Sequence, residues 1–217
     1  MYIVVIGAGG IGKRLTEIAL KDGHHNVIVI DKDQTKCEEI ARKYDAVAIC
    51  ADATQEETLD ESEIKKANVL VATTNDDATN LLVVSLAKNK GVKHLVSVVN
   101  QSESKPLYME KSVKMVKNPD IVMAEHLYKS IKHPTIEEYM SVGEHAEIFR
   151  IPVSEESRFS GKTIEKIGLP KKSLIVAIER DHRFIIPTDD VELFSGDKVT
   201  VLAHKDQVDK VAKLFSG

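Results

Sequence analysis

The first twelve residues constrain this chain more tightly than any other stretch. Ile3-Val4-Val5-Ile6 is apolar at every position, the pattern of a strand buried on both faces. It breaks at Gly7-Ala8-Gly9-Gly10-Ile11-Gly12, which fits G-x-G-x-x-G through Gly7, Gly9 and Gly12. An amphipathic helix-length stretch, residues 10–21, follows at once. Glycine turns are common, but this one lies between a buried strand and a helix, the context that gives the motif meaning. Gly7 permits the tight turn, Gly9 lets the backbone approach a phosphate pair, and Gly12 lets the helix pack closely on the strand. Backbone N–H groups at the helix start then face an anion, and the helix dipole favours it. Gly7, Ala8, Gly9, Gly10, Ile11 and Gly12 are read together as a phosphate cradle.

Downstream, short β-rich runs alternate with amphipathic stretches. Strands are expected at 2–6, 26–30, 46–50, 68–73, 94–98 and 113–116, with helices at 34–43, 54–65, 76–89 and 102–111 between the later ones. Such alternation predicts right-handed crossovers and a parallel sheet covered on both faces. The expectation is an α/β fold: a Rossmann-type doubly wound parallel sheet over residues 1–118, followed by a smaller α+β domain.

Ligands of such sheets sit beyond the carboxyl ends of the strands. Asp31 ends the second strand, 19 residues after Gly12, where an acid accepts hydrogen bonds from ribose hydroxyls. It would repel a 2′-phosphate, which favours NAD(H) over NADP(H); Lys32 beside it tempers that preference. Asp52-Ala53-Thr54 follows the third strand, placing an acid near an adenine amino group. Thr73-Thr74-Asn75-Asp76 follows the fourth and faces the second half of a dinucleotide, with Asp76 read instead as a helix N-cap.

The pattern changes at Asn118-Pro119. A helix is expected from Pro119 to about Lys132, with Ile121, Ala124, Tyr128 and Ile131 as its stripe and Val122, Met123 and Leu127 widening it. Two readings stand for this surplus apolar surface, a helix wedged between domains or one shared with another subunit. His133-Pro134 ends the 119–134 connection. Residues 135–217 then read as the α+β module, with strands at 147–153, 174–180, 183–186 and 198–203 and short helices at 162–167 and 205–215. Arg180-Asp181-His182-Arg183 reads as a hairpin turn. The acidic pairs Glu155-Glu156 and Asp189-Asp190 read as solvated turns.

Composition removes several function classes. A formal net charge of -4 lacks the basic face that nucleic acid requires. No apolar run reaches the roughly 20 residues of a membrane span, and the N-terminus lacks the charged region of a signal peptide. Cys37 and Cys50 stand too far apart for a metal or redox motif and read as two reduced thiols in a cytoplasmic protein. None of the eight histidines has metal-ligand spacing or an evident catalytic partner. No catalytic and no metal-binding residue is therefore expected. The rival readings are an NAD-dependent oxidoreductase of unknown substrate and, last, a redox-sensing transcription factor.

The glycine loop, Asp31, Asp52-Ala53-Thr54, Thr73-Thr74-Asn75-Asp76 and Asn118-Pro119 together resemble TrkA-type proteins, potassium-transport regulators with an RCK N-terminal and an RCK C-terminal domain. Phe159-Ser160-Gly161-Lys162-Thr163-Ile164 and Leu193-Phe194-Ser195-Gly196-Asp197-Lys198-Val199 extend the resemblance over nearly the whole chain. It implies regulation rather than turnover: a cytoplasmic homo-oligomer, with dimers within a ring, that binds NAD(H), ATP or ADP. Such a ring docks beneath a membrane potassium-transporting subunit of Trk or Ktr type and gates it. The C-terminal domain would serve ligand binding or assembly, and residues 119–132 resemble the family's crossover helix. Two positions depart from the pattern. Ala51 stands where the family often has Gly, and Val98 where it often has an Arg for phosphate or a neighbouring subunit. Without that cation NAD(H) is favoured over ATP, and any contact at Val98 runs through backbone or packing.

Overall fold

The computed structural model describes residues 1–216 and divides into two compact units, Met1–Ile121 and Val122–Gly217. The first begins β1 (Tyr2–Ile6), α1 (Gly10–Asp22), β2 (Asn26–Asp31), α2 (Gln34–Lys43), β3 (Val47–Cys50) and α3 (Glu56–Glu61). It continues through β4 (Val69–Ala72), α4 (Asp77–Asn89), β5 (His94–Val99), α5 (Lys105–Glu110) and β6 (Lys114–Lys117). The six strands form one parallel sheet in the order β3-β2-β1-β4-β5-β6.

Alternation along the strands builds two cores from two faces. Ile3, Val5, Val27 and Val29 point to α1 and α2, where they meet Ala19 and Ile40. Val4, Ile6, Ile28, Ile30 and Leu70 point the other way, against Leu59, Val83, Val84 and Tyr108 of α3, α4 and α5. This is the doubly wound arrangement. Because β1 pairs with both β2 and β4, the chain leaves the sheet centre in opposite directions there. The crevice opens at that switch point.

One helix is shorter than its sequence pattern. The 54–65 stretch is helical only over Glu56–Glu61, because Glu63 adopts a left-handed conformation (φ 51°) before a 3₁₀ turn at Ile64–Lys66. That turn buries Ile64 completely.

The long helix α6 (Pro119–Lys132) starts within the first unit and contains no buried residue. Ile121, Val122, Met123, Leu127, Tyr128 and Ile131 are all exposed, Ile131 at 78%. The second unit continues with β7 (Glu138–Val142), β8 (Ala146–Pro152), β9 (Lys162–Thr163), α7 (Ile164–Ile167) and β10 (Ser173–Arg180). It ends with β11 (Arg183–Ile185), β12 (Glu192–Leu193), β13 (Lys198–His204) and α8 (Val208–Ser216). Five strands form an antiparallel sheet ordered β11-β10-β13-β8-β7, and β12 pairs with β9. Val211, Ala212 and Phe215 of α8 cover Phe149, Ile151, Val199 and Val201, and Phe215 meets Phe159 edge-on. The expected hairpin turn is present: Asp181 and His182 both take positive φ (49° and 61°), as a two-residue turn between twisted strands requires. Buried Asp197 accepts two hydrogen bonds from Arg180, each 2.7 Å, and one from the Phe194 N–H at 2.8 Å. No helix among the described residues is long and apolar enough to cross a membrane.

Candidate functional site

The crevice at the carboxyl ends of β1, β2, β3 and β4 is a cavity of about 710 Å³. Its floor is fixed by glycine geometry. Gly7 takes φ +96°, a conformation L side chains rarely adopt. A Cβ on Gly12 would lie 1.8 Å from the Gly7 carbonyl oxygen, so only glycine lets α1 approach β1 this closely.

Three of the helices that open at this edge, α1, α2 and α4, border the cavity with their first turns and differ in their caps. Asp33 caps α2 by accepting from the Thr35 and Lys36 N–H groups, and Asp76 caps α4 by accepting from Ala78 and Thr79. At α1 the capping residue is Gly9, and no side chain takes the first-turn N–H groups. Gly7, Gly9, Gly10 and Ile11 line the cavity there. A helix start with donors uncommitted to any side chain, bordering a large cavity, is suited to a phosphate group.

Asp31 lines the adjoining wall. Its Oδ2 accepts from the Ala8 N–H at 2.7 Å and its Oδ1 from the Asp33 N–H at 2.9 Å. Each carboxylate oxygen carries two acceptor sites, so one on each stays open for a hydroxyl. Lys36 Nζ stands 3.9 Å from Oδ2 and also lines the cavity. Asp52 accepts from the Thr54 N–H (2.9 Å) and hydroxyl (2.7 Å), bonds that hold its carboxyl below the usual range.

On the other side of β1, Thr73 is buried, and its hydroxyl reaches the Ile6 and Gly7 carbonyls at 2.9 and 3.1 Å. This ties the end of β4 to the glycine turn. The Thr74 hydroxyl and N–H both donate to the Asn80 side-chain oxygen, fixing the start of the next loop. Asp77 is partly buried, which opposes its charge. Hydrogen bonds from the Asn100 and Gln101 N–H groups outweigh that and hold its carboxyl below the usual range. Asn118 donates to Asn100 and accepts from the Asp120 N–H at 2.7 Å. Asn100, Asn118, Pro119 and Asp120 thereby reach the lining.

Of the residues expected from sequence, Gly7, Gly9, Gly10, Ile11, Asp31, Lys32, Asp52, Ala53, Thr73 and Thr74 line this one cavity. Three are not on its wall. Ala8 is buried with its N–H given to Asp31, and Gly12 lies behind the loop as a packing contact. Val98 is buried within β5, its carbonyl accepting from Asn80 and Ser97. Sequence reasoning missed Lys36, Thr79, Asn100 and Asp120. The strand-end rule, extended to β5, reaches Asn100; Lys36 sits one turn inside a helix and belongs to no motif. Among the described residues no group of three or more His, Cys, Asp or Glu is placed to hold a metal ion.

Residues 3–119 match the family model of the TrkA-N domain, and residues 148–216 match that of the TrkA-C domain. A Trk system potassium uptake protein TrkA homologue of Methanothermobacter thermautotrophicus is 31% identical over 218 residues, covering both chains in full. Among solved structures, the GsuK channel bound to NAD superposes with a TM-score of 0.65 at 16% identity, covering all of this chain and 39% of that one. The Shewanella denitrificans Kef C-terminal domain in its AMP-bound form gives 0.51 at 15% identity, over 61% of this chain and 80% of that one. These two likenesses are of fold.

Proposed function

The chain belongs to the TrkA family, and from that membership we propose that it is a nucleotide-binding regulatory subunit of a potassium transport system. The observation that carries the nucleotide reading is the uncapped start of α1 beside Asp31. The cavity fits an adenine dinucleotide in its chemistry. Gly9, Gly10 and Ile11 would hold the pyrophosphate, Asp31 the adenosine ribose, and Asp52 the adenine edge. Thr73, Thr74 and Asn100 would border the second nucleoside. The relatives' names support a role in potassium uptake, and the titles of two fold neighbours record NAD and AMP bound to those proteins.

We assign the crevice to binding, not to hydride transfer. No histidine, tyrosine or cysteine lines it among the described residues. Its lysines, Lys32 and Lys36, stand at the Asp31 side assigned to the adenosine ribose, whereas a dehydrogenase needs a proton donor beside the nicotinamide. The working unit in this reading is a homo-oligomeric ring, with dimers formed across α6. Its exposed stripe, from Ile121 to Ile131, is where a second copy packs. The ring docks on the cytoplasmic side of a membrane potassium-transporting subunit. Bound nucleotide favours one ring shape by its differential affinity for the two.

The test is a thermal-shift panel with NAD+, NADH, NADPH, ATP and ADP. A ligand at about 100 times its dissociation constant adds roughly 2.7 kcal/mol to the stability of the state it binds. NAD+ or NADH is expected to raise the transition most, and Asp31→Ala to weaken that binding by about 1–3 kcal/mol in calorimetry. No shift with any of the five would remove the nucleotide reading.

A further inference from the structure

Two side chains that the nucleotide reading leaves unused meet at the ribose edge of the crevice. Cys37 lies on the sheet-facing side of α2, one turn before buried Ile40, and is itself buried. Along β3, Ile49 packs into the opposite core while Ala48 packs against the core that holds Ile40. Alternation therefore turns Cys50 to the α2 side, at the level of Cys37. The Cys37 sulfur stands 3.8 Å from the Ile49 carbonyl oxygen, one peptide from Cys50. Cys50 stands opposite Asp31 in the β2–β3 register, and the Cys37 sulfur lies 3.2 Å from the Asp31 carbonyl oxygen. Burial first, and Cys50 nearby second, push the Cys37 thiol up to about 12. Cys50 is exposed.

We propose that Cys37 and Cys50 are a modification site, a thiol pair that hydrogen peroxide closes into a reversible disulfide and that thereby controls the nucleotide crevice. In the first step the exposed Cys50 thiolate attacks one peroxide oxygen. The O–O bond breaks, the departing hydroxide takes up the proton that Cys50 gave up and becomes the first water, and Cys50 becomes a sulfenic acid. In the second the Cys37 sulfur attacks the Cys50 sulfur, the S–O bond breaks, and the Cys37 proton leaves with the departing hydroxide as water. Two thiols lose two electrons in all, and one peroxide is reduced to two waters. Burial shields Cys37 from peroxide, so the accessible Cys50 is the one oxidised first, and Cys37 must give up its proton as it attacks. In a reducing compartment such a bridge is transient, as a sensor requires.

The consequence for the crevice rests on the nucleotide reading. The Cys37 thiol donates to the Asp31 carbonyl at 3.2 Å, and that carbonyl also accepts from the Ala51 N–H at 3.1 Å. Cys50 leads directly into Ala51 and Asp52, both on the cavity wall. Closing the sulfurs to about 2.05 Å removes the thiol donor beneath Asp31 and draws the β3 end toward α2. Both acids of the adenosine side then shift.

The test treats the reduced full chain with hydrogen peroxide and reads intact mass, mapped peptides and NADH affinity. A monomer about 2 Da lighter is expected, with a Cys37–Cys50 cross-linked peptide, reversal by dithiothreitol and no bridge in Cys50→Ser. Bridged protein is expected to bind NADH roughly tenfold more weakly than reduced protein, within the usual range of coupling between sites. Sulfinic Cys50 beside reduced Cys37, or Cys50–Cys50 dimers alone, would overturn the bridge. Equal NADH affinity of bridged and reduced protein would overturn its control of the crevice. Reduced protein that binds neither NADH nor ADP would overturn the nucleotide reading and that control with it, while the mass still decides the bridge.

Discussion

A Cβ on Gly12 would stand 1.8 Å from the Gly7 carbonyl oxygen, whereas one on Gly10 meets nothing within 4 Å. Gly12→Ala is therefore expected to destabilise the chain by about 1–3 kcal/mol in urea denaturation, because backbone must move apart from backbone. Gly10→Ala should change stability by less than about 1 kcal/mol, since it adds a methyl to open space at a helix start. Equal effects of the two substitutions would contradict the packing role of Gly12. That role is readable from the spacing of the loop alone, because the third glycine of the motif has only one job. Lys36 is the opposite case. Its charge reaches Asp31 only because α2 turns its first residues back over the end of β2, and nothing in the local sequence marks it.

At the scale of elements, the start of α4 holds much of the site together. Asp77 is its first residue, and its carboxylate pins the loop after β5 through the Asn100 and Gln101 N–H groups. Asp77→Ala leaves those donors without a partner and should cost about 1–3 kcal/mol by chemical denaturation at neutral pH. The folded chain holds this carboxyl below its ordinary range, so its contribution is complete above the unfolded value near pH 4 and is lost as the pH falls through the folded one. The gap between wild type and variant should thus narrow below about pH 4; a gap constant with pH would show that the charge is not what binds the loop. Inner strands β1, β2 and β4 of the first sheet were legible because each is apolar on both faces and bounded by turn residues. β7 was not: Glu-Tyr-Met-Ser-Val has little apolar alternation, lies at a sheet edge, and becomes a strand by pairing with β8. The early end of α3 was hidden for a related reason. Residues 54–65 keep a helical pattern in composition, but burying Ile64 requires the left-handed break at Glu63.

For the whole molecule, α6 raises the question of what covers an apolar helix with no buried residue. In the proposed assembly the answer is a second copy. Leu127→Glu combined with Ile131→Glu places charge in the middle of the stripe and should convert dimers to monomers in sedimentation velocity. The nucleotide affinity of the first unit should be unaffected if its crevice is complete within one chain. A monomeric wild type at the same concentrations would remove this role for α6.

The parallel sheet has a consequence for handling the protein. All crevice residues lie where strands end, so the edge where strands begin carries none of them. The Gly23-His24 turn lies on that edge, is exposed, and precedes β2 by its amino end. A short peptide tag or surface tether placed between these residues should leave an NADH titration curve unchanged, whereas the same insertion after Asp31 should abolish it. The chain can thus be immobilised by one edge with its ligand edge turned to solution, an orientation that labelling at random lysines would not give.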